Sequence, residues 1–171
     1  MTYLYDNYLG EKVYSVTFDH NLYNQMFFES GSESEYTENI NVGDSGTGYY
    51  IDGYNENSGK CSVSTYVPDV RTVYFTNTNN WSDVRAYLWK SGTMQNNIWH
   101  GAKMKYINSN EKGEDIYAIT FDYKEYDCVV FNDYNSTSQT TDIRIGDNNS
   151  LYYLNGKKVG NKWTVGSYIY T

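Results

Sequence analysis

The stretch Val84-Arg85-Ala86-Tyr87-Leu88-Trp89 alternates small or aliphatic residues with larger polar and aromatic ones. Because successive side chains of a β-strand point to opposite faces, this alternation predicts a strand. Val84, Ala86 and Leu88 share the face that we expect to pack in a core. Tyr87 and Trp89 then lie side by side on the outer face, which is an unusual position for large aromatic rings.

The same period of two recurs along the second half of the chain, where no window shows a helical period. Tyrosine occupies 21 of 171 positions, a composition that favours strands. Clusters of Asn, Asp, Gly and Ser separate the predicted strands, and Asn155-Gly156 indicates a hairpin turn. The strands are predicted near 72–76, 84–89, 103–107, 115–121, 127–132, 139–145, 151–154 and 162–169. Their spacing indicates an all-β fold, an immunoglobulin-like antiparallel β-sandwich.

The chain also repeats itself at a distance of 103 positions. Residues 12–53 align without a gap on residues 115–156, and thirteen of these 42 pairs are identical, which exceeds chance. The alignment extends back to Met1, which falls on Met104. Two domains are therefore predicted: residues 1–69 as a partial repeat with only the later strands, and residues 70–171 as a complete β-sandwich module.

The first repeat begins in its middle, so we expect it to have an open core and an unpaired strand edge. Three explanations are open. A longer chain has been cut, another chain supplies the missing strands, or the segment docks on the second repeat as a support. We favour a tandem arrangement whose first member is incomplete.

The net charge of −8 argues against several kinds of partner. Nucleic acids and anionic membrane surfaces require a basic face, so we expect no nucleic-acid partner. No apolar run reaches the length of a membrane span, and no signal peptide is recognised. Cys61 and Cys128 lack the spacing of a metal or redox site, so we expect two ordinary strand residues, with a disulfide between them as the alternative.

Sequence motifs of enzyme chemistry are missing. No nucleophile elbow, phosphate loop or metal-ligand cluster occurs, and His20 and His100 are far apart. A glycosidase needs two carboxylates, but nothing singles out two of the 21 that the chain contains. We therefore predict no catalytic residue, no metal and no cofactor.

The outward aromatic residues favour a binding surface instead. Trp99 lies ten residues beyond Trp89 in a predicted loop. Sugar rings present C–H faces that stack on aromatic rings, while their hydroxyl groups need polar neighbours. The alternative, which the sequence leaves open, is that Trp89 or Trp99 packs beneath a loop.

Five segments carry a resemblance to a known family. They are Thr72–Asn77, Asn80–Trp89, Ile98–Met104, Val129–Asp133 and Gln139–Ile143. In this order and at this spacing they resemble the starch-binding carbohydrate-binding modules of family 26 and the related family 25. The resemblance covers residues 72–145 in detail and extends over the whole of 70–171.

The resemblance implies a β-sandwich that binds α-1,4-glucan on a shallow aromatic surface. His100 stands where the family usually has proline, and Trp81 matches a structural tryptophan that packs in the fold. The aromatic residues would stack on sugar, and three polar residues would donate or accept hydrogen bonds. The implied carbohydrate-binding residues are Tyr87, Trp89, Trp99, Lys103, Asn132 and Gln139.

The predicted function is non-catalytic binding of starch and maltooligosaccharides. The module would tether an amylolytic enzyme or a bacterial cell to starch, as part of a larger multimodular protein that is secreted or displayed on the cell surface. A structural or interaction β-sandwich of a bacterial surface scaffold, with no sugar site, is the alternative. One site per chain is expected, because the first repeat carries Glu29 and Tyr36 where the second has Asn132 and Gln139.

Overall fold

The computed structural model describes residues 1–31 and 35–171, and the regular secondary structure of these ranges consists of strands. The first six strands precede Pro68: β1 (Thr2–Asp6), β2 (Lys12–Ser15), β3 (Gln25–Met26), β4 (Ile40–Asn41), β5 (Gly48–Asn55) and β6 (Lys60–Tyr66). Nine follow it: β7 (Val70–Thr76), β8 (Val84–Trp89), β9 (Ala102–Lys103), β10 (Lys105–Ser109), β11 (Asp115–Asp122), β12 (Cys128–Asp133), β13 (Ile143–Arg144), β14 (Ser150–Val159) and β15 (Lys162–Ile169). Within the described ranges, no helix is long and apolar enough to cross a membrane.

The described chain divides into two compact units. The sandwich unit comprises Met1–Ser15 together with Asp69–Thr171, and the middle unit comprises Val16–Pro68. The division at Pro68–Asp69 lies at the junction predicted from the sequence. The first 15 residues, however, pack with the second repeat, so the predicted segment 1–69 is split between the units.

The sandwich unit consists of two facing sheets, as predicted. The five-stranded sheet has the order β10-β11-β7-β14-β15, and the four-stranded sheet has the order β13-β12-β8-β9. Neighbouring strands are antiparallel except for β14 and β7, which are parallel. The ring of Phe75 on β7 stacks on that of Phe131 on β12 with centroids 4.7 Å apart, so the core lies between the sheets.

Trp81 belongs to this core, as the resemblance implied. Its side chain is 6% exposed and stacks on Phe75 at a centroid distance of 5.1 Å. The side-chain amide of Asn77 accepts a hydrogen bond from the Trp81 N–H at 2.8 Å and donates one to its carbonyl at 2.9 Å. These two hydrogen bonds between Asn77 and Trp81 fix the turn that places the Trp81 side chain in the core.

The predicted strand 103–107 is two strands in two different sheets. β9 ends at Lys103 in the four-stranded sheet, and β10 begins at Lys105 in the five-stranded sheet. Between them, Met104 is 3% exposed and its N–H donates to the Val84 carbonyl at 3.0 Å. The chain therefore crosses from one sheet to the other at a buried residue, which period-two alternation alone does not reveal.

The hairpin turn predicted at Asn155-Gly156 lies elsewhere. β14 continues to Val159 and pairs with β15 up to Val159–Lys162, so the turn falls at 160–161. At Asn155-Gly156 the register shifts, which marks a β-bulge. Gly156 has a φ of +80°, a value that favours glycine. The glycine therefore serves the bulge and not a hairpin turn.

Strands β1 and β2 form a separate hairpin in the sandwich unit. Tyr5 on β1 is only 5% exposed, and the Tyr8 N–H in the turn donates to the Glu125 carboxylate at 3.1 Å. Burial raises the pKa of Glu125, and the hydrogen bond from Tyr8 opposes this effect. The hairpin is therefore fastened to the sandwich by a buried ring and by a hydrogen bond.

The middle unit consists of two short antiparallel pairs, β3 with β4 and β5 with β6. Among its described residues, only Thr37 is fully buried, whereas large apolar residues such as Tyr23 and Ile51 are exposed. Two-stranded sheets have marginal stability alone. The described residues of this unit therefore form little core of their own.

Cys61 and Cys128 are both free thiols, so the simpler of the two interpretations is confirmed. Cys128 is buried in β12, where burial and the neighbouring Asp127 raise its pKa. A buried thiol with a raised pKa is a weak nucleophile, and we assign it a packing role.

Candidate functional site

Strand β8 presents the first two aromatic rings of the site. Val84, Ala86 and Leu88 are at most 3% exposed and point into the core, as the alternation predicts. Tyr87 and Trp89 lie half-buried on the opposite face. Their ring centroids are 5.7 Å apart and the ring planes are inclined by only 28°, so the two rings are nearly parallel and stack on each other.

Trp99 adds a third ring from the loop that follows β8. Its centroid lies 5.0 Å from that of Tyr87 and its plane is inclined by 72° to the Tyr87 ring. Trp99 is 47% exposed, so it is not packed beneath the loop. Three rings thus lie together, two of them nearly parallel and stacked and the third set at a steep angle.

Asn97 attaches this loop to the edge of β8 where the short strand β9 does not reach. Its side-chain oxygen accepts from the Leu88 N–H at 2.9 Å, and its side-chain nitrogen donates to the Ala86 carbonyl at 3.3 Å. The Asn97 N–H also donates to the Leu88 carbonyl at 3.0 Å. One residue therefore replaces part of a missing strand and holds the loop in position.

Gly101 allows the end of the loop to approach β8 closely. A Cβ atom at this position would collide with the carbonyl of Ala86. Its φ of +92° is also unfavourable for other residues. The glycine N–H donates to the Ile98 carbonyl at 2.5 Å, which closes the turn that carries Trp99.

His100 and Asn132 support Trp99 from the other side. The His100 ring stacks on Trp99 with centroids 5.0 Å apart, and the peptide bond between the two residues is cis. His100 in turn contacts the ring of Tyr134 at 5.0 Å. The side-chain nitrogen of Asn132 donates to the His100 carbonyl at 2.9 Å. The loop is thus bonded to β12 as well as to β8.

A buried carboxylate fixes the start of the same loop. Asp127, whose side chain is 3% exposed, accepts hydrogen bonds from the Ser91 N–H at 2.7 Å and the Ser91 hydroxyl at 3.0 Å. Lys90 and Arg144 form ion pairs with it at 3.4 and 3.2 Å. Burial raises the pKa of Asp127, but the Ser91 hydrogen bonds and Lys90 outweigh burial and hold it below its usual range.

The rings line a shallow groove of about 370 Å³ on the outer face of the four-stranded sheet. We call it the aromatic groove. Its floor and walls combine the three rings with one aliphatic and six polar side chains. The lining residues are Tyr87, Trp89, Thr93, Gln95, Asn96, Trp99, Val130, Gln139, Asp142 and Lys162.

Four of the six sequence-predicted site residues meet in the aromatic groove: Tyr87, Trp89, Trp99 and Gln139. Gln139 reaches it because it bridges to Asn132 at the edge of β12. Asn132 itself is 1% exposed and lies beneath the Trp99 loop. Lys103 lies beside Arg85, with its amine 3.6 Å from Asp83. Sugar contact by each of the six residues stays a prediction.

Six lining residues were not predicted from the sequence. Val130 is the cross-strand partner of Tyr87, a relation that requires the register of β12 with β8. Lys162 is far along the chain and pairs with Asp142 at 3.6 Å. The remaining three lie in the loop a few residues after Trp89, and this closeness in sequence is the only signal that could have indicated them. They are Thr93, Gln95 and Asn96.

The aromatic groove suits a neutral polyhydroxylated ligand. The rings offer apolar faces, and amide, carboxylate and ammonium groups at the rim can both donate and accept hydrogen bonds. The rim charges of Asp142 and Lys162 are paired with each other. In the described ranges, no group of three or more His, Cys, Asp or Glu residues could hold a metal ion.

Comparison with known proteins finds a family that this region is similar to. The family starch-binding module 26 matches residues 73–145, the segment that contains all six predicted site residues. The resemblance predicted from the sequence is therefore confirmed for this segment. The chain is also similar to a solved structure, CBMbc (family CBM26) from Eubacterium rectale Amy13K in complex with maltoheptaose. The identity is 16%, the TM-score is 0.36, and the similarity covers 86% of this chain and 70% of that one. No curated protein matches the chain.

Proposed function

We propose that the sandwich unit binds α-1,4-glucan, as starch or maltooligosaccharides, without catalysing a reaction. The observation that carries this proposal is the cluster of Tyr87, Trp89 and Trp99 on an outer sheet face. These rings lie inside the segment that matches a starch-binding family. Large rings left in contact with solvent at one place indicate a binding surface.

The angles between the rings fit a coiled polysaccharide. Consecutive glucose units of an α-1,4-glucan do not lie in one plane, so their C–H faces turn along the chain. One sugar unit can stack on the Tyr87–Trp89 pair, whose rings are nearly parallel, and a neighbouring unit can stack on the inclined Trp99 ring. Gln139 and the rim of the aromatic groove then lie beside the sugar hydroxyls.

We further propose that the protein acts outside the cell, as one module of a larger secreted or surface-displayed protein. Starch is a polymer too large to enter a cell, so its binding proteins act where the granules are. The module would hold an amylolytic enzyme or a bacterial cell on its substrate. The family of residues 73–145 is a binding family, which supports a non-catalytic role for this segment.

The proposal assigns one glucan site to each chain, carried by residues 70–171. The residues before Pro68 contain no counterpart of the three rings of the aromatic groove. At the positions equivalent to Asn132 and Gln139 they carry Glu29 and Tyr36, which bridge to each other. The first repeat therefore lacks both the aromatic and the polar side chains of the site.

Retention on granular starch tests this function. The full chain should sediment with starch granules, remain in solution with cellulose, and elute with maltoheptaose. A flat crystalline polymer does not match the inclined Trp99 ring, which makes cellulose the appropriate control. Equal retention on both polymers, or on neither, would contradict the proposal and favour a surface scaffold without a sugar site.

A further inference from the structure

A fourth exposed aromatic ring lies beyond the aromatic groove. Tyr134 directly follows β12 and is 49% exposed, close to the 47% of Trp99. The half-buried His100 contacts both residues, with its ring centroid 5.0 Å from that of Trp99 and 5.0 Å from that of Tyr134. His100 and Tyr134 are not among the residues that line the aromatic groove. The aromatic surface therefore continues past Trp99 and outside the groove.

Arg85 holds the Tyr134 ring in place. Its guanidinium carbon lies 4.3 Å from the centroid of the ring, which is a cation–π contact. The guanidinium is itself fixed, because it donates to the Asp83 carboxylate at 3.2 Å and to the Gly101 carbonyl at 3.4 Å. Gly101 belongs to the loop that carries Trp99. One side chain therefore contacts both the Tyr134 ring and the Trp99 loop.

Hydrogen bonds also fix the backbone of Tyr134. Its N–H donates to the Asp83 carbonyl at 2.9 Å. The side chain of Asp133, a residue that is 7% exposed, accepts from the Asp83 N–H at 3.1 Å and from the Asn135 N–H at 3.4 Å. The turn after β12 is thus bonded to the turn before β8. A ring that is exposed but already held in place loses little conformational entropy when a ligand covers it.

The same end of the surface offers a hydrogen-bond donor. Lys103 is the cross-strand neighbour of Arg85, and its side chain is 68% exposed. The side chain of Asp83, which forms an ion pair with Lys103 at 3.6 Å, is only 15% exposed. An exposed ammonium can donate to the hydroxyl groups of a sugar. The outer face beyond Trp99 therefore combines an aromatic ring with a polar group, as the aromatic groove does.

The first repeat lacks this ring together with the other three. Tyr134 aligns with Gly31 at the repeat distance of 103 positions. The alignment has no gap here, and three positions earlier it pairs Phe131 with Phe28. The two repeats thus share the apolar residue of the preceding strand, whereas the fourth ring occurs only in the repeat that has the aromatic groove.

We propose that His100 and Tyr134 form a further subsite, on which an α-glucan chain continues beyond Trp99. This proposal rests on the proposed function. When one sugar unit lies on the Tyr87–Trp89 pair and the next on Trp99, two further steps of 5.0 Å lead across His100 to Tyr134. Each step is comparable with the length of one sugar unit. Maltotriose placed on the groove rings ends before Tyr134, whereas maltoheptaose reaches it, so the subsite selects long α-glucans.

Affinity for ligands of two lengths tests this subsite. Titration calorimetry with maltotriose and with maltoheptaose compares the native protein with Tyr134→Ala. We expect the variant to bind maltoheptaose about fivefold more weakly, within the range of one aromatic contact. Its affinity for maltotriose should not change, because the short ligand does not extend to the lost ring. The ratio of the two dissociation constants should therefore fall about fivefold, from the same contact.

Two other substitutions at the same position separate the ring from its bulk. Tyr134→Leu keeps an apolar side chain against His100 and Arg85 but has no ring, so it should show the same selective loss as Tyr134→Ala. Tyr134→Phe should restore the affinity for maltoheptaose, because stacking requires the face of the ring and not its hydroxyl group. Thermal denaturation establishes that each variant is folded.

Tyr106→Ala is the matched control. Tyr106 is 51% exposed, as Tyr134 nearly is, but lies on β10 in the five-stranded sheet, so its loss should alter binding of neither ligand. Equal losses for both ligands in Tyr134→Ala would show that Tyr134 only supports the Trp99 loop, and would overturn the subsite. Unchanged binding of both would overturn it as well. A native protein that binds neither ligand would contradict the proposed function itself, and the subsite with it.

Discussion

Two tryptophans of the sandwich unit have different roles because their surroundings differ: Trp81 packs in the core, and Trp99 lies at the aromatic groove. Trp81 is 6% exposed and stacks on Phe75 within the core. Trp99 is 47% exposed and its ring is steeply inclined to that of Tyr87, so that much of the indole remains in contact with solvent. Truncation of the first should therefore affect the fold, and truncation of the second should affect binding.

We expect Trp99→Ala to weaken starch binding at least about tenfold, a change of 1.4 kcal/mol or more, with little change in thermal stability. Trp81→Ala should destabilise the fold by about 3–5 kcal/mol, as for other emptied aromatic positions. Calorimetry with maltoheptaose and thermal denaturation measure the two effects. A Trp99→Ala protein that unfolds at a lower temperature but binds normally would refute the site assignment.

Asp127 makes the stability of the site loop depend on pH. Its pKa is lowered in the folded protein, so ionised Asp127 contributes stability above its unfolded pKa of about 3.9. This contribution is lost as the pH falls through the folded pKa. The protein should therefore lose thermal stability below about pH 4.

Asp127→Asn is the matched variant for this effect. It removes the charge that faces Lys90 and Arg144 and should be less stable than the native protein at pH 7. The difference in melting temperature should shrink as the pH falls below about 4, because the native carboxylate then becomes neutral as well. A difference that stays constant from pH 7 to pH 2 would contradict an ionised Asp127.

At the scale of elements, the loop between β8 and β9 determines where Trp99 stands. Asn97 ties its middle to β8, and Gly101 permits its end to pass over the Ala86 carbonyl. We expect Gly101→Ala to displace the loop and reduce affinity for maltoheptaose about tenfold, while the sandwich stays folded. Titration calorimetry and circular dichroism measure the two quantities.

The same loop offers a matched control. Gly92 also has a positive φ, +74°, but a Cβ atom there would meet open space. Gly92→Ala carries the backbone cost of about 1 kcal/mol without the collision. If both variants bind equally well, close approach to Ala86 does not position Trp99.

Local patterns predicted the elements that depend on one strand alone. The alternation of Val84–Trp89 gave the core face and the two outer rings of β8, and the structure confirms both. Features that depend on two strands were not predictable in this way. The crossing between sheets at Met104 depends on a buried backbone bond to Val84, and Asn155-Gly156 suits a bulge as well as a turn.

The same distinction holds for the site. Aromatic residues on an outer face were recognisable because their type is unusual there. Val130 and Lys162 enter the aromatic groove only through the packing of distant strands. The position of Asn132 beneath the loop, where its side chain bonds to His100, was likewise not predictable from the sequence. Burial is a property of the folded whole that position alone does not reveal.

At the scale of the whole molecule, a single shallow site predicts modest affinity. A groove that leaves much of each sugar in water should bind maltoheptaose with a Kd between about 1 μM and 1 mM, or about −4 to −8 kcal/mol. Calorimetry should give one site per chain. A stoichiometry of two would assign a second site to the residues before Pro68, and a nanomolar Kd would contradict a shallow surface.

The short side chain of Asn97 has a consequence beyond the placement of Trp99. It occupies the Leu88 N–H and the Ala86 carbonyl, which are the groups that an incoming chain would need in order to extend the sheet. Proteins gathered on a starch granule are crowded against one another, and unprotected strand edges under crowding promote fibrous aggregates. By closing this edge beside the sugar site, Asn97 removes one place at which copies crowded on a granule could pair through their strands.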